Sequence, residues 1–198
     1  MRIIVGITGA TGIIYGIRLL EVLQSLDSIE THLIITSAAK QTIVYETNYT
    51  VAQVKALGSV VYDNHDIGAG ISSGSFHTDG MVIVPCSIKS LSGIANSYDD
   101  NLLIRAADVT LKERRRLLLL VRETPLHLGH LRLMTAVVEH GAVLMPPVPA
   151  FYTRPQTIDD LVNQTVGHIL DQFGIETALL SRWQGLREEL LRKTSEQA

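Results

Sequence analysis

Arg2-Ile3-Ile4-Val5-Gly6-Ile7-Thr8-Gly9-Ala10-Thr11-Gly12 decides the architecture of this chain. A short apolar run ends in glycines, and Ile13 to Leu26 then repeats apolar residues at helical spacing, among them Ile13, Ile17, Leu20 and Leu23. That is a strand, a glycine turn and a helix. The unit recurs as Thr31 to Ile35 with Ala38 to Tyr45, Met81 to Val84 with Ser87 to Asn96, and Leu117 to Val121 with His127 to Glu139. Ala142 to Met145 reads as a last strand. Strands apolar almost throughout, alternating with helices, predict an α/β fold of three layers, a parallel sheet with helices on both faces. Right-handed crossovers gather the C-terminal ends of the strands on one edge, where ligands bind.

Between these units, Asp63 to Thr78 carries Gly68, Gly70, Ser72, Ser73, Gly74 and Ser75 and reads as a long loop. Pro146 to Tyr152 is too rich in proline for helix. Gln156 to Phe173 reads as helix, with Thr157 as N-cap and Asp159 and Asp160 in the first turn. Residues 1–183 are expected to form a single domain and 184–198 a charged tail.

The chain has 198 residues, 46% of them hydrophobic, enough for one domain with a substantial core. With 17 Lys and Arg against 20 Asp and Glu the net charge is -3, which argues against a nucleic-acid partner. The single cysteine, Cys86, excludes an intrachain disulfide framework and fits a cytoplasmic, reducing compartment. No signal-like segment follows Arg2, and the uncharged stretches fall short of the roughly 20 residues of a membrane span. A mean hydropathy of +0.21 is high for a small domain and points to apolar faces covered between subunits.

The turn from Gly6 to Gly12 offers backbone N–H groups and a helix dipole to an anion, most simply a phosphate; a bare packing turn is the alternative. Its G-x-x-G-x-x-G spacing also occurs in short-chain dehydrogenases of the nucleotide-sugar type. A dinucleotide site, however, needs an acidic residue near the end of the second strand, and Thr36-Ser37 stands there. None of the six tyrosines has a lysine four positions on, so the dehydrogenase dyad is absent. Hydroxyls at Thr11, Thr36, Ser87 and Ser90, all near strand ends, suit a mononucleotide such as FMN.

Several segments in order then resemble the flavin prenyltransferase (UbiX-like) family. They are Gly6 to Gly12, Ser72-Ser73-Gly74-Ser75, Val84-Pro85-Cys86-Ser87, Asn101 to Val109, Leu111-Lys112-Glu113-Arg114-Arg115, Arg122-Glu123-Thr124-Pro125 and Pro149-Ala150-Phe151-Tyr152. The resemblance implies a Rossmann-like or flavodoxin-like fold and a homododecamer. It implies reduced FMN as the substrate, alkylated at N5 and C6 by a dimethylallyl group from dimethylallyl phosphate. The product, prenylated FMN, would serve a UbiD-like decarboxylase.

Carried over by position, Gly9, Ala10, Thr11, Thr36, Ser87, Ile88, Lys89, Ser90 and Arg122 would hold FMN. Glu46 and Glu123, with Thr11, would be catalytic, and Arg105, Lys112, Tyr152, His168 and Trp183 would surround the prenyl phosphate. Trp183 would do so from a neighbouring subunit. His168 stands where the family usually has arginine, Val121 where it has proline before the Arg-Glu pair, and Arg132-Leu133 where it has a Glu-Asn pair.

Without the resemblance, Glu46 reads as a surface helix end, and Glu123 as either an ion-pair partner or a catalytic acid on a partly desolvated strand edge. Lys112 to Arg116 reads as a solvated turn, and Trp183 as either a core residue or a lid. His127, His130 and His140 lack a carboxylate or cysteine at ligand spacing, so no metal is expected. Cys86, ending an apolar strand, reads as a small buried hydrophobe. Two rival functions are an FMN carrier or assembly subunit and a flavin-dependent decarboxylase acting on peptidyl-cysteine; the latter normally carries a histidine in the first strand-helix pair, and none lies there.

Overall fold

β1 (Arg2–Ile7) is buried from Ile3 to Ile7, and β4 (Gly80–Cys86) along all seven of its residues, because both run through the middle of a sheet covered on two faces. The computed structural model describes residues 1–180, 182, 183, 185 and 186. Its contacts divide the chain into Met1–Pro149 and Ala150–Ala198, and each unit is described by itself.

In the first unit, β2 (Glu30–Ile35), β3 (Val60–Tyr62), β5 (Arg116–Val121) and β6 (Val143–Leu144) join β1 and β4 in a six-stranded parallel sheet of order β3-β2-β1-β4-β5-β6. The helices are α1 (Ile13–Gln24), α2 (Ser37–Glu46), α3 (Val51–Lys55), α4 (Ile88–Ala95), α5 (Leu102–Lys112) and α6 (Leu128–Glu139). The predicted α/β architecture is the one observed. Strand order reverses between β1 and β4, which pair from Ile3 with Gly80 to Gly6 with Ile83. A crevice at such a reversal is where open α/β sheets bind ligands.

Three elements differ from the sequence expectation. β3 has only three residues and α3 five, too few for a periodicity to show. The third is α5, where Arg105, Asp108 and Lys112 are spaced as an outer helical stripe over buried Leu102, Leu103, Ala106 and Val109. Lys112 therefore ends a helix instead of lying in a turn.

The loop from Asp63 is tied to α5 and to the turn after it. Arg105 Nε donates to the Ser72 carbonyl (3.2 Å), while its Nη1 meets Asp99 (3.0 Å) and Asp108 (3.3 Å). Arg115 donates to the carbonyls of Phe76 (2.9 Å) and Gly74 (2.8 Å).

In the second unit, a 3-10 turn (Phe151–Thr153) precedes α7 (Ile158–Gln172). Thr157 and Asp160 form a capping box, with the Thr157 hydroxyl accepting from the Asp160 N–H and the Asp160 carboxylate from that of Thr157, as the sequence led one to expect. No helix among the described residues is long and apolar enough to cross a membrane. The expected tail lies outside the described residues except for Gly185 and Leu186.

One buried ionisable group sits far from the switch point. His32 of β2 is 1% exposed, with Nδ1 2.9 Å from the Tyr62 hydroxyl and Nε2 3.2 Å from a Glu30 oxygen. Phe76 meets its ring edge-on, and Arg2 spans Glu30 and the Phe76 face. Burial pushes the His32 pKa down; Glu30 opposes this in part, and Arg2 adds to it. The unfolded chain, with a histidine pKa of about 6.5, therefore binds the extra proton first. The contribution of His32 to stability is complete above that pH and is lost as pH falls through the folded-state value. Urea midpoints measured from about pH 7.5 to 5 should fall more steeply for the native chain than for His32→Gln; equal slopes would show that His32 does not couple folding to protons.

Candidate functional site

Thr8 closes the crevice between the two central strands. Its Oγ1 donates to the Pro85 carbonyl (2.7 Å) and accepts from the Ser87 N–H (2.8 Å), while its own N–H reaches the same carbonyl at 3.3 Å. Proline has no N–H, and the β1–β4 ladder stops at Gly6 with Ile83, short of Pro85. A threonine that is 1% exposed repairs that gap.

Above this junction lies a cavity of about 390 Å³, lined by Thr8, Gly9, Thr36, Ser87, Ser90 and Asn101 among others. Three helices begin at it. Thr36 caps α2 by accepting from the Ala39 N–H, Ser87 caps α4 by accepting from Ser90, and Asn101 caps α5 by accepting from Ile104. Asn64 adds a second cap to α5, its side chain accepting from Leu103 and its carbonyl from Leu102. Three positive helix poles facing one crevice make an anion site. Lys89, 3.8 Å from Asp100 at the rim, adds a cation.

The glycine turn works differently from the sequence expectation. A Cβ on Gly9 would stand 2.4 Å from the Ala38 Cβ, so glycine here lets the start of α2 approach the turn. Gly12, at φ 95°, turns the chain into α1. The N–H groups of Gly12 and Ile13, expected to hold an anion from outside, are taken by the Glu46 carboxylate at 2.9 and 3.4 Å. The end of α2 thereby caps α1, and the anion poles left facing the cavity belong to α2, α4 and α5.

The Flavoprotein family model matches residues 1–170. The flavin prenyltransferase UbiX of Escherichia coli K12 is 63% identical over 186 residues, covering 93% of this chain and 98% of the relative. That of Thauera aromatica is 58% identical over 194 residues, covering 98% and 100%. The chain belongs to the UbiX-like flavin prenyltransferase family.

Among solved members of that family, a dodecameric FMN-dependent UbiX-like decarboxylase from E. coli O157:H7 superposes with a TM-score of 0.92 at 49% identity, covering 93% of this chain and all of the other. AnUbiX (PadA1), in complex with FMN and dimethylallyl pyrophosphate, gives 0.91 at 50%, covering 93% and 97%. The peptidyl-cysteine decarboxylase EpiD, at 14% identity and a TM-score of 0.58, shares the fold alone.

Of the positions assigned by resemblance to this family, Gly9, Thr36, Ser87, Lys89 and Ser90 line the cavity, whereas Ala10, Thr11 and Arg122 do not. Ile88 and Lys89 also border a neighbouring groove of about 810 Å³ that continues past Asp100 and Ile104 to His127 and His130. Arg122 is at the end of β5, its N–H donating to the Cys86 carbonyl at 3.1 Å, with exposed Glu123 next to it. Its own chain does not supply the partly desolvated edge expected at Glu123, because β5 ends at the open rim of the sheet. Arg105 is held by Asp99 and Asp108, and Lys112 by Glu113; neither lines the cavity or the groove just described.

In the second unit three assigned residues meet. Gln164 Nε2 donates to the Tyr152 hydroxyl (3.2 Å) and lies 3.4 Å from His168 Nε2, while Trp183 packs edge-on against Tyr152 with ring centroids 5.7 Å apart. Gln164, 5% exposed, was not singled out from the sequence, nor were Thr8, Asn64 and Asn101. A buried glutamine on an amphipathic helix is the signal that would have marked it.

Cys86 is fully buried and burial pushes its thiol up to about 12, so it is a packing residue and not a nucleophile. His127 accepts from the Gly129 N–H and stacks on His130, with ring centroids 3.6 Å apart. Among the described residues no group of three or more potential ligands could hold a metal ion.

Thr8→Val keeps the shape of the side chain but strands the Ser87 N–H, so it should cost about 1–3 kcal/mol and lower the urea midpoint. An unchanged midpoint would show that the junction does not depend on this hydroxyl. Gly9→Ala, by forcing α2 away from the turn, should cost a similar ~1–3 kcal/mol.

Proposed function

We propose that this prenyltransferase attaches a dimethylallyl group from dimethylallyl phosphate to N5 and C6 of reduced FMN, and that the resulting prenylated FMN is passed to a UbiD-like decarboxylase. The reading is carried by the convergence of three helix N-termini and the hydroxyls of Thr36, Ser87 and Ser90 on one cavity. This donor set fits the phosphate of FMN, which a relative at 50% identity binds together with a prenyl diphosphate. Residues 1–183 then act as one cytoplasmic flavoprotein domain, and the dodecameric relative supports its assembly into a homododecamer.

Bound there in reduced form, FMN supplies the nucleophilic N5 and C6. Gly9 borders it from the cavity wall, Ala10 and Thr11 reach it from the turn beyond that lining, and Ile88 and Lys89 extend the site towards the adjoining groove. Tyr152 and His168, both beside Gln164, hold the donor together with Trp183, which covers it from a neighbouring subunit, the aromatic faces stabilising positive charge on the allyl carbon. Breaking the C–O bond sends its electron pair out with phosphate, which needs cations: Arg105 and Lys112 serve once their Asp and Glu partners yield. His168 stands where the family usually has arginine, and offers the phosphate an imidazole ring in place of a five-donor guanidinium fork. The N5 bond replaces the C–O bond as N5 gives up its proton, and the C6 bond forms when a proton adds to the allyl double bond and C6 then gives up its own; Glu123, at the strand edge, relays these protons, with Glu46 and Thr11 shaping the turn opposite.

Incubating the protein with chemically reduced FMN and dimethylallyl phosphate or diphosphate, then weighing the flavin, tests the whole reading. A gain of one five-carbon unit supports it. No gain with either donor leaves an FMN carrier, and carbon dioxide from a peptidyl-cysteine substrate would point to the decarboxylase rival.

Two substitutions refine the roles. Glu123→Gln should bind FMN normally yet lose most prenylation, stalling before the fourth ring; normal production of the four-ring flavin would shift the proton-transfer role to Glu46. Thr11→Val should weaken or misplace FMN, and unchanged affinity with unchanged turnover would remove Thr11 from the site.

A further inference from the structure

The outer face of α6 lies on the side of the helix away from buried Met134 and Val137. Leu128, Leu131 and Val138 are 60%, 47% and 50% exposed on it. Thr135 is exposed between them, its hydroxyl already donating to the Leu131 carbonyl at 3.0 Å, so the stripe offers little to water. Single exposed apolar residues are ordinary, but a row at spacings of three and four along one helix needs a cover.

Beside the row stand Arg132 and Glu139, both exposed, and neither has an ion pair among the described residues. Leu131 and Val138 are one heptad apart, and so are Arg132 and Glu139, which places each pair along one flank of the helix. Both pairs straddle Thr135: Leu131 lies four residues before it and Val138 three after, Arg132 three before and Glu139 four after.

We propose that α6 packs antiparallel against α6 of a second copy of this chain, about a two-fold axis passing at Thr135. A two-fold keeps each flank on its own side while reversing direction, so Leu131 meets Val138 of the second copy and Arg132 meets its Glu139, each contact made twice. Parallel pairing, whose two-fold runs along the helices and exchanges the flanks, would set Arg132 and Glu139 against the apolar Leu131 and Val138 flank, so the pattern selects the antiparallel arrangement. The inference rests on the assembly reading above, and twelve copies closed by dihedral or tetrahedral symmetry contain two-fold axes.

The full chain tests this directly, because its one native cysteine is buried. Thr135→Cys, lying on the axis, should give a covalent dimer of twice the chain mass on mild oxidation, whereas Asp27→Cys on the loop after α1 serves as an exposed control that should not. Light scattering at micromolar concentration should show Arg132→Glu with a smaller assembled mass, and Arg132→Glu with Glu139→Arg restored to the native one. Absence of the Thr135→Cys dimer from a still-assembled protein, or an unaltered mass for Arg132→Glu, would overturn the α6 contact while leaving assembly intact. A monomeric native chain would overturn the contact and the assembly reading together, leaving the flavin mass measurement as the separate judge of activity.

Discussion

The bond pair through the Thr8 hydroxyl is the constraint on which the site depends. Parallel strands joined by crossovers can splay at their C-terminal ends, where the ladder stops and the chain turns away on both sides. At the reversal of strand order this chain places a proline in β4, removing a ladder donor where cohesion is needed. Thr8 bridges the gap by donating to Pro85 and accepting from Ser87. The start of α4 is thereby fixed relative to the end of β1, and the cavity has a floor.

The walls follow from capping chemistry. Thr36, Ser87 and Asn101 are good N-caps by composition, and each begins a helix at the same edge because the crossovers share one hand. Residues that line the cavity are therefore also those that start the helices. Folding itself draws on these side chains, which explains why so polar a cavity persists above a core as apolar as Ile83, Leu91 and Leu103.

Most of this was legible in the sequence. The strand-turn-helix units, the ligand edge, the Thr36 and Ser87 hydroxyls and the Thr157 cap could be read from spacing and residue type alone. What escaped was tertiary. Nothing local announces that Thr8 reaches across to Pro85, 77 positions away, or that Asn64 caps a helix starting 38 residues later. The occupied donors of the glycine turn were hidden for the same reason: Glu46 comes from another helix, and its carboxylate takes the Gly12 and Ile13 N–H groups that look free in the linear pattern. α5 was missed although its outer stripe was present, because the basic run at its end suggested a turn.

Glu46 has a consequence for direction. With a built-in carboxylate plugging the pole of α1, which does not line the cavity, the positive poles at this edge of the sheet are confined to the starts of α2, α4 and α5. A molecule carrying a phosphate at one extremity and an uncharged ring system at the other thus meets a polarised slot, which orients it before any side chain reads its shape.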